Sequence, residues 1–159
     1  MFVVDNNSIS EIVSNVRDRK KSIVFTNGCF DLLHKGHLHL LNAATKQGDF
    51  LIVAINSDNS ILKIKGKGRP IQSETERVEA LLKLGVLDLV TIFNHDTPFD
   101  LIKLISPDIL VKGGDYDRKK IVGGDFVKSK GGRVVIVPIL QGFSTTSILK
   151  EMSFNETKT

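Results

Sequence analysis

Residues 49–56, DFLIVAIN, hold an unbroken apolar run from Phe50 to Ile55. Successive side chains of a strand point to opposite faces. A run with no polar alternation is what a sheet covered on both faces requires. Such a sheet is parallel, and parallel strands need helical crossovers between them.

The rest of the chain supplies the matching pieces. Ile9, Ile12, Val13 and Val16 give helical spacing over Ile9–Arg19, and Ser22–Asn27 reads as a short strand. Gly36–Gln47 reads as a helix whose inner side is Leu38, Leu40, Leu41 and Ala44. After the central run comes SDNSILKIKGKGRPI, read as a polar, basic loop. Ser73 and Glu76 fit a capping box, opening a helix to about Leu84 with Gly85 as its stop. Leu87–Phe93 is expected as the third strand, Phe99–Ile105 as a short helix and Asp108–Lys112 as the fourth strand. A glycine-rich loop, a fifth strand over Arg133–Ile139 and a terminal helix over Ser144–Met152 complete the order. Strands alternating with helices predict an α/β fold: a Rossmann-like, doubly wound, parallel five-stranded sheet in a single domain over 1–159, its core about 20–150. VKGGDY (111–116) and IVGGDF (121–126) look alike, but their offset is too short for a folding repeat and reads as two glycine turns.

Composition narrows the function classes. At 159 residues, 41% hydrophobic and 25% charged, the chain is an ordinary globular one, long enough to bury a core without staples. Its apolar runs are strand-sized, too short to span a membrane. The start MFVVDNNSISEIV lacks the basic-then-apolar order of a signal peptide. One cysteine, Cys29, allows no internal disulfide, and a cytoplasmic location is the expectation. The net charge is +4. Its basic residues gather near glycines rather than along one helix face, which favours small anionic substrates over nucleic acid or a membrane surface. With one tyrosine, no tryptophan and no aromatic-rich strand, stacking on bases is not expected. RNA binding by the basic loop remains the minor alternative.

In doubly wound sheets, ligands sit beyond the carboxyl ends of the strands, where strand order reverses. The loops 27–36, 56–70, 112–117 and 140–146 all follow strands and should gather at that edge. The first holds NGCFDLLHKGH, with two of the four histidines three residues apart. If Gly36 begins the helix, His34 and His37 stack on its first turn, beside the free N–H groups and the positive dipole end that suit a phosphate. Gly36 lacks a β-carbon and so lets a ligand approach the backbone. Two other readings stand beside this one. With Asp31 the pair could ligate a metal, although helical zinc pairs are usually four apart. The pair could also have no role. His39 reads as structural or solvent-facing, and His95 as a capping or packing residue.

GCFDLLHKGH resembles the signature G-x-F-D-x-x-H-x-G-H of the nucleotidyltransferase superfamily. GFSTTSILKEM (142–152) is similar to the family element that opens the last helix with hydroxyl residues; alone, Ser144 could simply be an N-cap. Between them, NSDNSILKIKGKGRPI, ERVEALLKLGVLDLVTIF, DTPFDLIKLISPDILVKGGDY and GGRVVIVP resemble, in order, the branch that adenylylates heptose 1-phosphate. The resemblance covers roughly residues 20 to 150. Glycerol-phosphate cytidylyltransferases carry R-T-E before the last element, where this chain has Leu140-Gln141-Gly142.

The resemblance implies transfer of AMP from ATP to D-glycero-β-D-manno-heptose 1-phosphate, giving ADP-heptose and pyrophosphate, with Mg²⁺ held mainly by phosphates and water rather than by protein ligands. It implies catalytic roles for His34, His37 and Lys65. Nucleotide contacts would come from Asn27, Gly28, Cys29, Phe30, Gly36, Ser144, Thr145 and Thr146. Asp31, Arg77, Lys112, Gly113 and Asp115 would hold the sugar phosphate, Asp31 with the metal as its other option. A surface salt bridge to Asp88 or Glu74 is the other reading of Arg77. Cys29 stands where the backbone N–H does the binding and is not expected to be a nucleophile. A homodimer is implied, as is a sugar kinase on a separate protein. Cytidylyl transfer to glycerol 3-phosphate or phosphoethanolamine, and a non-catalytic nucleotide-binding module, are the alternatives.

Overall fold

A computed structural model describes residues 1–114, 117 and 120–156. Five parallel strands form one sheet: β1 (Ile23–Gly28), β2 (Phe50–Asn56), β3 (Leu89–Phe93), β4 (Ile109–Gly113) and β5 (Arg133–Val137), in the order β3-β2-β1-β4-β5. The chain steps outward from β1 through β2 to β3, then returns to the other side of β1 for β4 and β5. Strand order therefore reverses between β1 and β4, the place where such sheets open a crevice. At the outer edge, Phe2 forms a parallel bridge to Val90 of β3.

Seven helices are described: α1 (Asn6–Asp18), α2 (Lys35–Thr45), α3 (Asp58–Lys65), α4 (Glu74–Lys83), α5 (Phe99–Ile105), α6 (Gly124–Ser129) and α7 (Thr145–Glu156). The expected two-sided burial is present. Ile23, Phe25, Ile52, Ala54 and Leu110 pack with Ile9, Val13, Ile102 and Val127 of α1, α5 and α6. Val24, Leu51, Val53, Ile55 and Val111 pack on the other face with Leu41, Val78 and Leu81 of α2 and α4. Phe50–Ile55 thus divides its side chains between two cores, which is why the run tolerates no polar alternation. Fully burying one such side chain is worth about 1.5–3 kcal/mol.

Two helices depart from the sequence expectation. Residues 58–65, read as loop, form α3. Ser57 caps it by accepting from the Ser60 N–H at 3.1 Å, and the Gly66 N–H closes it on Leu62. Its buried positions are Ser60 and Ile61, too thin an apolar stripe to reveal a helix in the sequence. α6 follows a left-handed Gly123 with φ 79°, where glycines conceal a short helix inside an apparent loop. The Ser73 box forms as expected, with Ser73 Oγ accepting from Glu76 N–H at 3.2 Å and Glu76 accepting from Ser73 N–H at 2.7 Å. Among the described residues, no helix is long and apolar enough to cross a membrane.

Candidate active site

The turn from β1 into α2 is tight. Phe30 and Leu32 adopt φ of 49° and 53°, a left-handed conformation that costs side-chain-bearing residues energy. Phe30 offsets this by burying its ring, which lies over Gly28: a β-carbon there would stand 3.1 Å from it. The turn delivers His34 as the N-cap of α2, with extended backbone. His34 Nδ1 accepts the Gly36 N–H at 3.1 Å, and His37 Nδ1 accepts the His34 N–H at 3.3 Å. The two rings stack with centroids 3.7 Å apart and planes at 24°. The arrangement is a capping box in which imidazoles stand where hydroxyl and carboxylate oxygens usually do.

That box fixes the chemistry of both rings. A ring nitrogen that accepts a backbone N–H carries no proton, so each neutral imidazole holds its proton on Nε2. Burial pushes the pKa of both histidines down, and His37 falls to about 4, helped by the charges of His34 and Lys65. Near neutrality both rings are therefore uncharged Nε2–H donors at the positive end of a helix. The pair lines a groove with Gly36, His39, Gly113 and Phe143. Gly36 serves differently from the expectation. A β-carbon there would lie 2.9 Å from the His34 ring, so the space belongs to that ring and not to an incoming ligand. His39, read as structural or solvent-facing, lines the same groove.

Asp31 joins three segments. Its carboxylate, buried to 2% exposure, accepts the Ile71 N–H at 2.8 Å and the Gln72 N–H at 3.0 Å, and lies 3.5 Å from Arg69 Nε. Its carbonyl accepts the Thr145 hydroxyl at 2.6 Å. The carboxylate is thereby engaged within the protein and, at this burial, presents almost no surface to the metal or sugar phosphate expected from the sequence. The Thr145 hydroxyl is committed likewise. Ser144 caps α7, accepting from the Ser147 N–H at 3.0 Å, and Thr146 is exposed. The last helix is nonetheless brought to the histidine turn, because Thr145 binds the residue three before His34.

Arg77 is also reassigned. It points from α4 into the protein with no exposed surface. Its Nη1 donates to the Cys29 and Asn56 carbonyls, each at 2.8 Å, its Nε to the Gln72 carbonyl at 3.2 Å, and its Nη2 to Asp58 at 2.8 Å. These bonds clasp the ends of β1 and β2 to the loop before α4, and the guanidinium is not presented to a ligand. Asp88 and Glu74 are not its partners either. Their carboxylates accept the Leu51 and Asp58 backbone N–H groups.

The other expected residues fall into place around the switch point. Lys65 ends α3 with an exposed side chain whose charge is felt at His37. Lys112 donates to Asn27 Oδ1 across the β1–β4 gap, and burial lowers its pKa to about 8. A β-carbon on Gly113 would touch Leu40 of α2 at 3.4 Å. Cys29 is half-buried, its Sγ 3.7 Å from Asn56 Oδ1. Asp115 lies outside the described residues. The sequence reading missed Asn56, Asp58 and Gln72, which hold Arg77, and Phe143, which walls the groove. Only the last carried a signal, being aromatic and adjacent to the hydroxyl element.

The Cytidylyltransferase-like family model matches residues 25–149. The bifunctional protein HldE of Nitrobacter winogradskyi is 52% identical over 134 residues, which is 84% of this chain and 28% of that protein. HldE of Koribacter versatilis is 49% identical over 149 residues, 94% of this chain and 31% of that one. The chain thus spans under a third of the length of these curated relatives. The crystal structure of the lipopolysaccharide core biosynthesis protein from Thermoplasma volcanium superposes with a TM-score of 0.61 at 30% identity, covering 76% of this chain and 97% of that one. Pantoate-β-alanine ligase from Francisella tularensis, at 15% identity and a TM-score of 0.68 over 95% of this chain and 72% of that one, shares the fold.

Proposed function

The chain belongs to the cytidylyltransferase-like family, and from that premise we propose that it transfers AMP from ATP to D-glycero-β-D-manno-heptose 1-phosphate, releasing pyrophosphate and making ADP-heptose for a surface glycan such as lipopolysaccharide. One observation carries the reading: stacked neutral imidazoles at the start of α2, each with Nδ1 tied to a backbone N–H and Nε2–H left to donate. Identity near one half to the HldE proteins supports the choice of acceptor.

The reaction needs alignment and charge neutralisation more than proton transfer. A sugar phosphate has a second pKa near 6 and is largely a dianion at neutral pH. One of its oxygens bonds to the α-phosphorus of ATP. The bond from that phosphorus to the bridging oxygen breaks, and its electron pair leaves with pyrophosphate. No proton moves, so no general base is required. His34 and His37 donate to the α-phosphoryl oxygens as charge builds there, and Lys65 neutralises the triphosphate from the end of α3. Asn27, Gly28, Cys29, Phe30 and Gly36 shape the nucleotide side. Ser144, Thr145 and Thr146 bring the start of α7 to the outer phosphates through backbone N–H groups and the exposed Thr146 hydroxyl. Lys112, with Asp115, is assigned to the sugar phosphate, and Gly113, in the wall of the histidine groove, leaves room for that phosphate to reach the α-phosphorus. Asp31 and Arg77 are positioning residues.

Mg²⁺ accompanies the triphosphate in this reading. Among the described residues no three metal-binding side chains cluster, and the Asp31 carboxylate already accepts two backbone N–H groups. The reading has the ion carried mainly by phosphates and water. The reading also takes residues 1–159 as one catalytic domain with its core over about 20–150, in the cytoplasm where ATP and sugar phosphates occur, and as a homodimer.

A pyrophosphate-release assay over the four nucleoside triphosphates and a panel of sugar and alcohol phosphates tests the proposal. ATP with the heptose 1-phosphate should give turnover. Release with CTP and glycerol 3-phosphate, but not with ATP, would transfer the chain to the cytidylyl branch. Nucleotide binding without any product would make it a binding module.

A further inference from the structure

The carboxyl end of β4 separates two cavities. Leu110 belongs to the core shared with α1, α5 and α6, whereas Ile109 and Val111 belong to the core under α2. By the two-residue period of a strand, Lys112 lies on the α5 face and Gly113 on the α2 face. Contact between Gly113 and Leu40 of α2 agrees with this. The groove on the α2 face holds the histidines and is otherwise largely apolar, with Leu40, Val137, Pro138, Ile139 and Phe143 in its wall. That lining suits a purine and its phosphates. The cavity on the α5 face differs in character: it is lined by Asp96, Thr97, Pro98, Lys112, Lys120 and Ile121.

Two cations, a carboxylate and a hydroxyl around one cavity are what a phosphorylated polyol requires. Lysines meet the dianion, while a carboxylate accepts from sugar hydroxyls and a threonine can both donate and accept. The side chains of Asp96, Thr97 and Lys120 have no hydrogen-bond or ion-pair partner among the described residues. Lys112, half-buried, has among the described residues only the neutral amide oxygen of Asn27. An ammonium drawn partly out of water without a carboxylate is stabilised when an anion joins it.

We propose that this second cavity is the acceptor subsite, with Lys112 and Lys120 holding the sugar phosphate and Asp96 and Thr97 reading its hydroxyls, so that loop 95–98 sets which sugar is used. The identity of the acceptor as a sugar phosphate rests on the adenylyl-transfer reading; the cavity's affinity for a phosphate does not. Nucleotide and acceptor then enter from opposite faces of the sheet and meet over the ends of β1 and β4. The low pKa of Lys112 agrees with an ammonium whose counter-charge arrives with the substrate.

The test separates the two claims. Steady-state kinetics of wild type, D96N, T97V and K120M are measured with ATP and D-glycero-β-D-manno-heptose 1-phosphate. D96N and K120M are each expected to raise the acceptor KM about tenfold or more, the loss of one charge-assisted bond, T97V to raise it about threefold, the loss of a neutral one, and all three to leave the ATP KM within about twofold. An unchanged acceptor KM in D96N and K120M, or a matching rise in the ATP KM, would overturn the proposal. These are surface positions, so the variants should fold. Independently, inorganic phosphate is titrated into ¹⁵N-labelled protein and amide shifts are followed by NMR. Shifts at Thr97, Lys112 and Lys120 that vanish in K120M support an anion subsite even if the heptose phosphate is not turned over. Shifts confined to residues 34–37 and 144–147 would remove it.

Discussion

His37 holds two jobs at once, capping α2 through Nδ1 and presenting Nε2–H to the groove. Replacing it with alanine should lower kcat about 10²–10³-fold, the usual loss for one transition-state donor, with a smaller effect on ATP binding. An unaffected kcat would end the catalytic reading. Its depressed pKa also fixes a sign. The unfolded chain, with an ordinary imidazole value of 6.5, takes up the proton before the folded one does. His37 therefore subtracts nothing above pH 6.5 and destabilises the fold progressively as pH falls toward 4. Urea denaturation across that range should show the decline in wild type and a shallower one in H37A. Arg77 and Asp31 mark what could not be read at this scale. The motif gave their types and positions, but whether a charge faces ligand or protein depends on backbone carbonyls and N–H groups from distant segments. Arg77→Met should leave the Cys29, Asn56 and Gln72 carbonyls without a donor and cost about 2–4 kcal/mol, seen as a lower denaturation midpoint.

Elements with a strong local signal were legible. The apolar runs announced the strands, Phe99–Ile105 matches α5 at both ends, and the Ser73–Glu76 pair announced α4. Ser73→Ala should cost about 1 kcal/mol in chemical denaturation with little change in turnover, since the bond its side chain makes, to the Glu76 N–H, stays within the cap. The helices that escaped notice are short and polar, and α3 is held by one buried isoleucine and its caps. The imidazole capping box was hidden for another reason: histidine is not a usual cap, so only coordinates reveal it. Gly36→Ala tests it. A methyl group 2.9 Å from the His34 ring should displace that ring and reduce kcat at least tenfold. The thermal midpoint should move little, because Ala favours the helix that the lost cap weakens.

At the scale of the whole molecule, alternation of strand and helix implied a doubly wound sheet, but not the order β3-β2-β1-β4-β5. Order emerges from which crossovers pack, a property of the assembled layers. That order places residues 27, 34, 112 and 145 at one edge although they are far apart in the chain. The Asp31–Thr145 bond spans 114 residues, so the histidine turn waits for a helix that is made more than a hundred residues later. A growing chain on the ribosome can fold the strands and helices that come before, yet the contact between the histidine turn and α7 is unfinished until residue 145 has emerged. Proteolytic trimming of the tail before residue 145 should be felt at His34, more than a hundred positions upstream, as a slackened turn and not merely as a missing helix.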